Sequence, residues 1–237
     1  VTLNETSKFI LSIGSIVPHK NQVALIHAFE RYCEAYPETD WQLLLAGNLH
    51  PDLISEIKRA TEQNSRIKHL GYVPNDKLDE LYRSCAFTVF PSVLEGFGLP
   101  ILESLWYAKP CVCANFGAMG EAAQGGGCLT IDTRDTSELL HAITRMTTDP
   151  DLLEQLSKNA SIRPITVWTD YAQRFVELLD ETGDPIKMQM GSIYYWVDHT
   201  VTYPKNTGIQ RVVRSLARAL LENGYKVIPV KWDKDSN

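Results

Sequence analysis

Two carboxylates, Glu95 and Glu103, stand eight positions apart around a Gly96-Phe97-Gly98 turn that is followed by Leu99 and Pro100. Glycine opens backbone conformations closed to other residues, and proline suits the first turn of a helix, where its missing N–H would have had no partner. A helix therefore starts near Leu99, with Glu95 in the loop before it and Glu103 about a turn inside it. Between the two carboxylates lie the unbonded amides of residues 98–101. Such amides, with the helix dipole behind them, attract phosphate. An anion site with a hydrogen-bond-accepting carboxylate on either side suits a diphosphate that carries a hydroxylated ring at each end. The spacing taken alone also admits a solvated loop glutamate and a surface helix glutamate.

Such a constellation needs a frame. Strand-like apolar runs at 8–13, 41–46, 67–71, 86–90, 110–114 and 127–131 alternate with helix-like stretches at 21–36, 52–63, 75–84, 98–107, 135–147, 150–158 and 168–180. That alternation predicts an α/β fold with a parallel sheet. Leu43-Leu44-Leu45-Ala46 and Ala86-Phe87-Thr88-Val89-Phe90 are continuously apolar, as expected when helices cover both faces. The expected architecture is a Rossmann-like, doubly wound sheet. Such sheets bind ligands beyond the carboxyl ends of their strands, which singles out the loops at 14–21, 47–51 and 91–100.

After the last of these helices, Glu181-Thr182-Gly183-Asp184-Pro185 is polar and helix-breaking. The pattern then restarts, with a strand at 192–197, a helix at 208–223 and a strand at 226–230. We therefore expect a domain over 1–183, a linker over 184–191 and a partial β-α-β unit in 192–237. A unit of that size buries too little surface to stand alone, so it should pack on the first domain or be poorly ordered.

The composition, 44% hydrophobic and 22% charged, is that of an ordinary globular protein. A net charge of −6 and a pI near 5.5 argue against nucleic acid as a partner, because such binding rests on clustered Lys and Arg. Apolar runs are far shorter than the roughly 20 residues that cross a bilayer. The five cysteines form no Cys-x-x-Cys pair, which fits a reducing, cytoplasmic setting. Cys111 and Cys113 alternate inside an apolar run and read as small buried hydrophobes. The first residues lack the features of a signal peptide and an initiator Met, as in a piece of a longer chain.

The segment Glu95-Gly96-Phe97-Gly98-Leu99-Pro100-Ile101-Leu102-Glu103 resembles the Glu-x7-Glu signature of the retaining glycosyltransferases of family 4, which have the two-domain GT-B fold. Phe9-Ile10-Leu11-Ser12-Ile13-Gly14, Pro18-His19-Lys20-Asn21, Leu44-Leu45-Ala46-Gly47, Pro91-Ser92, Ala108-Lys109-Pro110 and Trp168 follow in the family's order, and the resemblance covers roughly residues 8–181. It implies the C-terminal, donor-binding half of such an enzyme. Lys20 would contact the donor diphosphate and Glu95 would hold the transferred sugar near its anomeric carbon. Glu103 would accept from the ribose hydroxyls. The backbone of Gly96, Phe97, Gly98 and Leu99 would meet phosphate or sugar, and Tyr72 and Val73 would lie beside the base. The implied reaction retains anomeric configuration and uses neither a metal ion nor a cofactor beyond the nucleotide diphosphate sugar itself.

Ser15 and His19 occupy donor-binding positions where relatives carry arginine, so a phosphate-binding cation is lost unless Arg83 or a residue outside this piece substitutes. Gly120 stands where proline is usual before Glu121. The N-terminal GT-B domain, which supplies the acceptor site, is missing, and this piece alone is expected to be inactive. Thr207-Gly208-Ile209-Gln210-Arg211 resembles the glycine loop and first helix that open such an N-terminal domain, as at the junction of two tandem modules. The expected function is transfer of a mannosyl- or glucosyl-like hexose to a saccharide or lipid-linked saccharide acceptor, in O-antigen- or capsule-like polysaccharide synthesis. The full-length protein would meet the inner membrane face only peripherally. The alternative is a non-catalytic module that binds a nucleotide-sugar or a protein partner.

Overall fold

A computed structural model describes residues 8–181, 192–196 and 208–230. The strands β1 (Phe9–Ile13), β2 (Gln42–Ala46), β3 (Ile67–Gly71), β4 (Phe87–Phe90), β5 (Cys111–Ala114) and β6 (Cys128–Ile131) form one sheet. They alternate with helices α1 (Gln22–Ala35), α2 (Ile54–Gln63), α3 (Asn75–Ser84), α4 (Leu99–Trp106), α5 (Gly117–Ala123), α6 (Thr136–Thr148) and α7 (Pro150–Ile162). Every pairing is parallel and the order is β3-β2-β1-β4-β5-β6. This is the expected doubly wound α/β sheet. The chain winds outward from β1 to β3 and then returns to place β4 on the other side of β1, so the order reverses between β1 and β4.

Strand side chains explain the continuous apolar runs. Ile10, Leu43 and Leu45 enter one buried cluster with Leu25 and Phe29 of α1 and Leu139 and Ile143 of α6. Their neighbours Phe9, Leu11 and Leu44 enter another, with Leu81 and Tyr82 of α3. Alternate residues of each strand point to opposite faces, and both faces are covered by helices. Cys111 and Cys113, each fully buried, join Phe90, Ile101, Leu105 and Met119 in a third cluster, as small hydrophobes would. Hydrogen bonding to Cys111 and Cys128, and then burial, push the Cys113 thiol well above its usual range, so it stays protonated.

One element has no counterpart in the sequence reading. The segment Gly117–Ala123 is helical although it contains two glycines, which weaken helix propensity. Gly120 lets this helix approach the chain before it. A Cβ there would lie 2.9 Å from the Asn115 carbonyl. Proline at this position would also remove the Gly120 N–H to Phe116 oxygen bond of 3.1 Å.

The chain divides into two compact units between Ile165 and Thr166. The second contains α8 (Trp168–Glu181), β7 (Ser192–Trp196), α9 (Gly208–Glu222) and β8 (Lys226–Val230). β7 and β8 pair in parallel from Ser192 opposite Lys226 to Trp196 opposite Val230, with α9 as the crossover. Ala172 of α8 is buried with Ala219 and Leu220 of α9. The linker expected over 184–191, Val197 and Thr207 lie outside the described residues. Among the described residues no helix is long and apolar enough to cross a membrane.

Candidate active site

The reversal of strand order between β1 and β4 leaves a crevice at their carboxyl ends, because the loops that follow them run in opposite directions. The loop after β1 turns at Gly14, with φ +124°, and makes a short 3-10 turn over Pro18–Lys20. It ends at Asn21, in the left-handed region with φ 57°, from which α1 starts. Gly14 suits this turn through its positive φ, and a Cβ at that position would stand 3.0 Å from Lys20 Nζ. The Val93 N–H donates to the His19 carbonyl at 2.9 Å and joins this loop to the one after β4.

Across that junction Lys20 Nζ lies 3.2 Å from Glu95 Oε1, and each side chain is 18% exposed. Ser92 Oγ donates to the same carboxylate oxygen at 2.9 Å. Lys20 Nζ also sits 5.3 Å from the centre of the Phe90 ring. Buried Thr133, after β6, donates through Oγ1 to the Ser92 carbonyl at 3.0 Å, and Asn21 Nδ2 donates to the Thr133 carbonyl at 2.7 Å. Lys20, Glu95, Ser92, Thr133 and Asn21 thus form a loop of polar contacts that closes through the chain between residues 20 and 21. It fixes the cation and the carboxylate relative to each other.

Helix α4 begins where expected, at Leu99, behind Gly98 with φ +86°. No side chain caps it. Of the expected unbonded amides, Pro100 has none and Ile101 N–H is taken by the Gly98 carbonyl at 3.0 Å. The amides of Gly96, Phe97, Gly98 and Leu99 have no hydrogen-bond partner among the described residues. The unpartnered amides therefore lie slightly earlier than the sequence suggested, from Gly96 to the first helical residue.

Glu103 is half-buried on α4 and accepts at Oε2 from the Tyr82 hydroxyl at 2.9 Å. Tyr82 is 2% exposed and stacks on Tyr107, with ring centres 5.0 Å apart and planes within 8°. Arg83 lies over the same Tyr107 ring at 5.2 Å and so serves this stack. Val73 packs against the cluster that contains Tyr82, whereas Tyr72 is 70% exposed. Ser15 and His19 are exposed, and His19 reaches the junction through its carbonyl alone. Phe97 is 49% exposed at the tip of the turn.

Sequence reasoning brought Lys20, Glu95 and the α4 turn to one place but assigned no role to Ser92, Asn21, Thr133 or Tyr82. Pro91-Ser92 carried a signal through the family resemblance. Thr133 carried none, because it is 41 positions from Ser92 and meets it only in the folded sheet.

The family model "Glycosyl transferases group 1" matches residues 1–163 and so ends almost where the first compact unit ends. The serotype-specific mannosyltransferase WbdA of Escherichia coli is 28% identical over 229 residues, covering 92% of this chain and 28% of its own length. The O-antigen chain mannosyltransferase B of Escherichia coli is 32% identical over 133 residues, covering 55% of this chain and 34% of its own. This chain therefore spans about a third or less of these relatives. The crystal structure of the C-terminal domain of a glycosyl transferase group 1 family protein (LpcC) from Francisella tularensis superposes with a TM-score of 0.57 at 21% identity, over 65% of this chain and 82% of that one. The sheet thus has the fold of a GT-B C-terminal domain, and the chain belongs to the glycosyl transferases group 1 family.

Proposed function

We infer that residues 1–183 are the donor-binding half of a retaining, metal-independent hexosyltransferase. The observation that carries this reading is the Lys20–Glu95 pair at the point where strand order reverses, beside four unpartnered amides at the start of α4. A diphosphate fits the amides of Gly96, Phe97, Gly98 and Leu99, with Lys20 offsetting the charge that grows on the leaving phosphate. Glu95 then meets the hydroxyls of the transferred hexose. Glu103 accepts from the ribose, and the backbone at Tyr72 and Val73 borders the base.

In the reaction the bond from the anomeric carbon to the phosphate oxygen breaks, and an acceptor hydroxyl forms its new bond on the same face. The departing phosphate oxygen takes the acceptor's proton. The acceptor, a saccharide or lipid-linked saccharide, binds at a site supplied by an N-terminal GT-B domain. The names of the Escherichia coli relatives favour mannose as the hexose and O-antigen-like polysaccharide as the product.

The tail over 192–237 reads best as the opening of a second GT-B module. It forms a parallel β-α-β unit. The WbdA alignment leaves out fewer residues than the tail contains, so it runs into the tail.

Calorimetric titration of this chain with UDP, GDP and ADP, each with and without magnesium, tests the reading. One nucleotide should bind selectively, with equal affinity in the presence and absence of magnesium. Glu103→Ala should weaken it roughly tenfold or more, the loss of a hydrogen bond to a charged acceptor. Binding that requires magnesium would overturn metal independence, and binding indifferent to Glu103 would overturn the assignment of the ribose.

A further inference from the structure

Glu103 does not stand alone on α4. Its carboxylate is held by a hydroxyl that is itself held, through a stack of two tyrosines, by a second carboxylate. Tyr82 Oη donates to Glu103 Oε2 at 2.9 Å, the Tyr82 and Tyr107 rings lie parallel at 5.0 Å, and Tyr107 Oη donates to Asp79 Oδ1 at 2.5 Å. Tyr82 and Asp79 come from α3, three positions apart and so on adjoining parts of one helix face, whereas Glu103 and Tyr107 come from the end of α4, four apart. Two helices are thereby joined by a rectangle of contacts whose one buried corner is Tyr82. Burial first, and then the Asp79 hydrogen bond, push the Tyr107 hydroxyl up to about 12, so it remains a donor across the ordinary pH range.

A carboxylate on a helix normally samples several rotamers, and each hydroxyl it binds must first select one. The Tyr82 hydroxyl removes that freedom. It also occupies one lone-pair position on Oε2 and fixes the plane in which the remaining acceptor positions lie. A preorganised acceptor discriminates sharply between a ligand that carries the matching hydroxyl and one that lacks it. The unmatched ligand forgoes the hydrogen bond for which the acceptor is oriented.

We propose that Tyr82 is a positioning residue that makes Glu103 selective for the ribose hydroxyls of the donor nucleotide, with Tyr107 and Asp79 holding Tyr82 in place. The proposal rests on the donor-site reading above and extends it to what sets selectivity for the sugar of the nucleotide.

The test compares two ligands on the full chain: the nucleoside diphosphate that the chain selects, and its 2′,3′-dideoxy counterpart. The unmodified protein should prefer the ribose form by roughly tenfold or more. Tyr82→Phe keeps the ring stack and removes the hydroxyl. It should lower that preference to within about twofold by weakening the ribose form alone, and it should add nothing further when Glu103 is already replaced by Gln. Asp79 is exposed, so Asp79→Ala provides a second variant that keeps the core intact. It should reduce the preference, and Asp79→Asn, which retains an acceptor for Tyr107, should restore it.

Equal weakening of both ligands by Tyr82→Phe would mean that the hydroxyl only supports the fold, and would overturn the proposal. An unchanged preference in both Tyr82→Phe and Asp79→Ala would overturn it as well. No binding of any nucleoside diphosphate to the unmodified chain would instead overturn the donor-site reading, and this inference with it.

Discussion

Lys20 and Glu95 meet at 3.2 Å, each 18% exposed, so a diphosphate entering the crevice competes with a carboxylate for the same cation. On the proposed donor-site reading a diphosphate carries more charge than one carboxylate and draws on the amides of the α4 turn as well, so Lys20 should transfer to it. The two partners should therefore respond oppositely to replacement. Lys20→Ala should weaken nucleoside diphosphate binding roughly tenfold or more, because a charge-assisted contact is lost. Glu95→Ala removes the competitor, and affinity should stay within about twofold or rise slightly. Titration of both variants checks this, and equal weakening would mean that Glu95 holds the diphosphate through Lys20 and does not face the hexose. At this scale the Glu95 and Glu103 pair stood out by its eight-residue spacing around the Gly96-Phe97-Gly98 turn, whereas Lys20 stood out only through the family resemblance. The residues that aim them were not. Tyr82 sits on the apolar face of α3, where a tyrosine looks like core, and nothing in a sequence reveals the carboxylate at its hydroxyl end.

At the level of elements, the sheet was readable almost strand for strand, because continuous apolar runs between amphipathic helices have few other physical solutions. Helix α5 was not, because Gly117 and Gly120 mask its periodicity, the first taking φ +58° and the second packing tightly on Asn115. Close approach also governs the loops that carry the site. Gly47, just after β2, has φ +151°, and a Cβ there would fall 2.0 Å from the Gly14 carbonyl oxygen. Its N–H donates to the Gly71 carbonyl at 2.8 Å and its carbonyl meets His69 Nε2 at 2.9 Å, so the loops after β1, β2 and β3 converge on it. No side-chain rotation relieves a clash with backbone. Gly47→Ala should cost about 3 kcal/mol, combining strain at positive φ with overpacking. It should also displace the loop that leads to Lys20. A lowered urea midpoint together with weaker nucleotide binding is the expected result. A midpoint equal to that of the unmodified chain would show that the Gly14 turn yields freely and does not set the position of Lys20.

For the whole molecule, the informative boundary is between Ile165 and Thr166, ahead of the polar segment at 181–185 that reads as a linker. The amphipathic pattern of α8 shows that it buries a face but cannot name the surface that covers it. Its partner in the second unit, α9, begins at Gly208, well beyond the point where a local pattern carries information. Every residue in the Lys20–Glu95 network, and both tyrosines that hold Glu103, precede Ile165. If the donor site depends on these contacts, a chain ending at Ile165 contains all of it. That shortened chain should bind the selected nucleoside diphosphate within about twofold of the longer one, since no charged contact to the ligand is removed. It should show the same loss on Glu103→Ala. The shortened chain must first show a cooperative thermal transition, so that any loss of binding is not simply a loss of folding. A folded but non-binding 1–165 chain would place part of the nucleotide site on the second unit. Retained binding would make residues 1–165 the smallest piece to join to an N-terminal GT-B domain when transfer itself is measured.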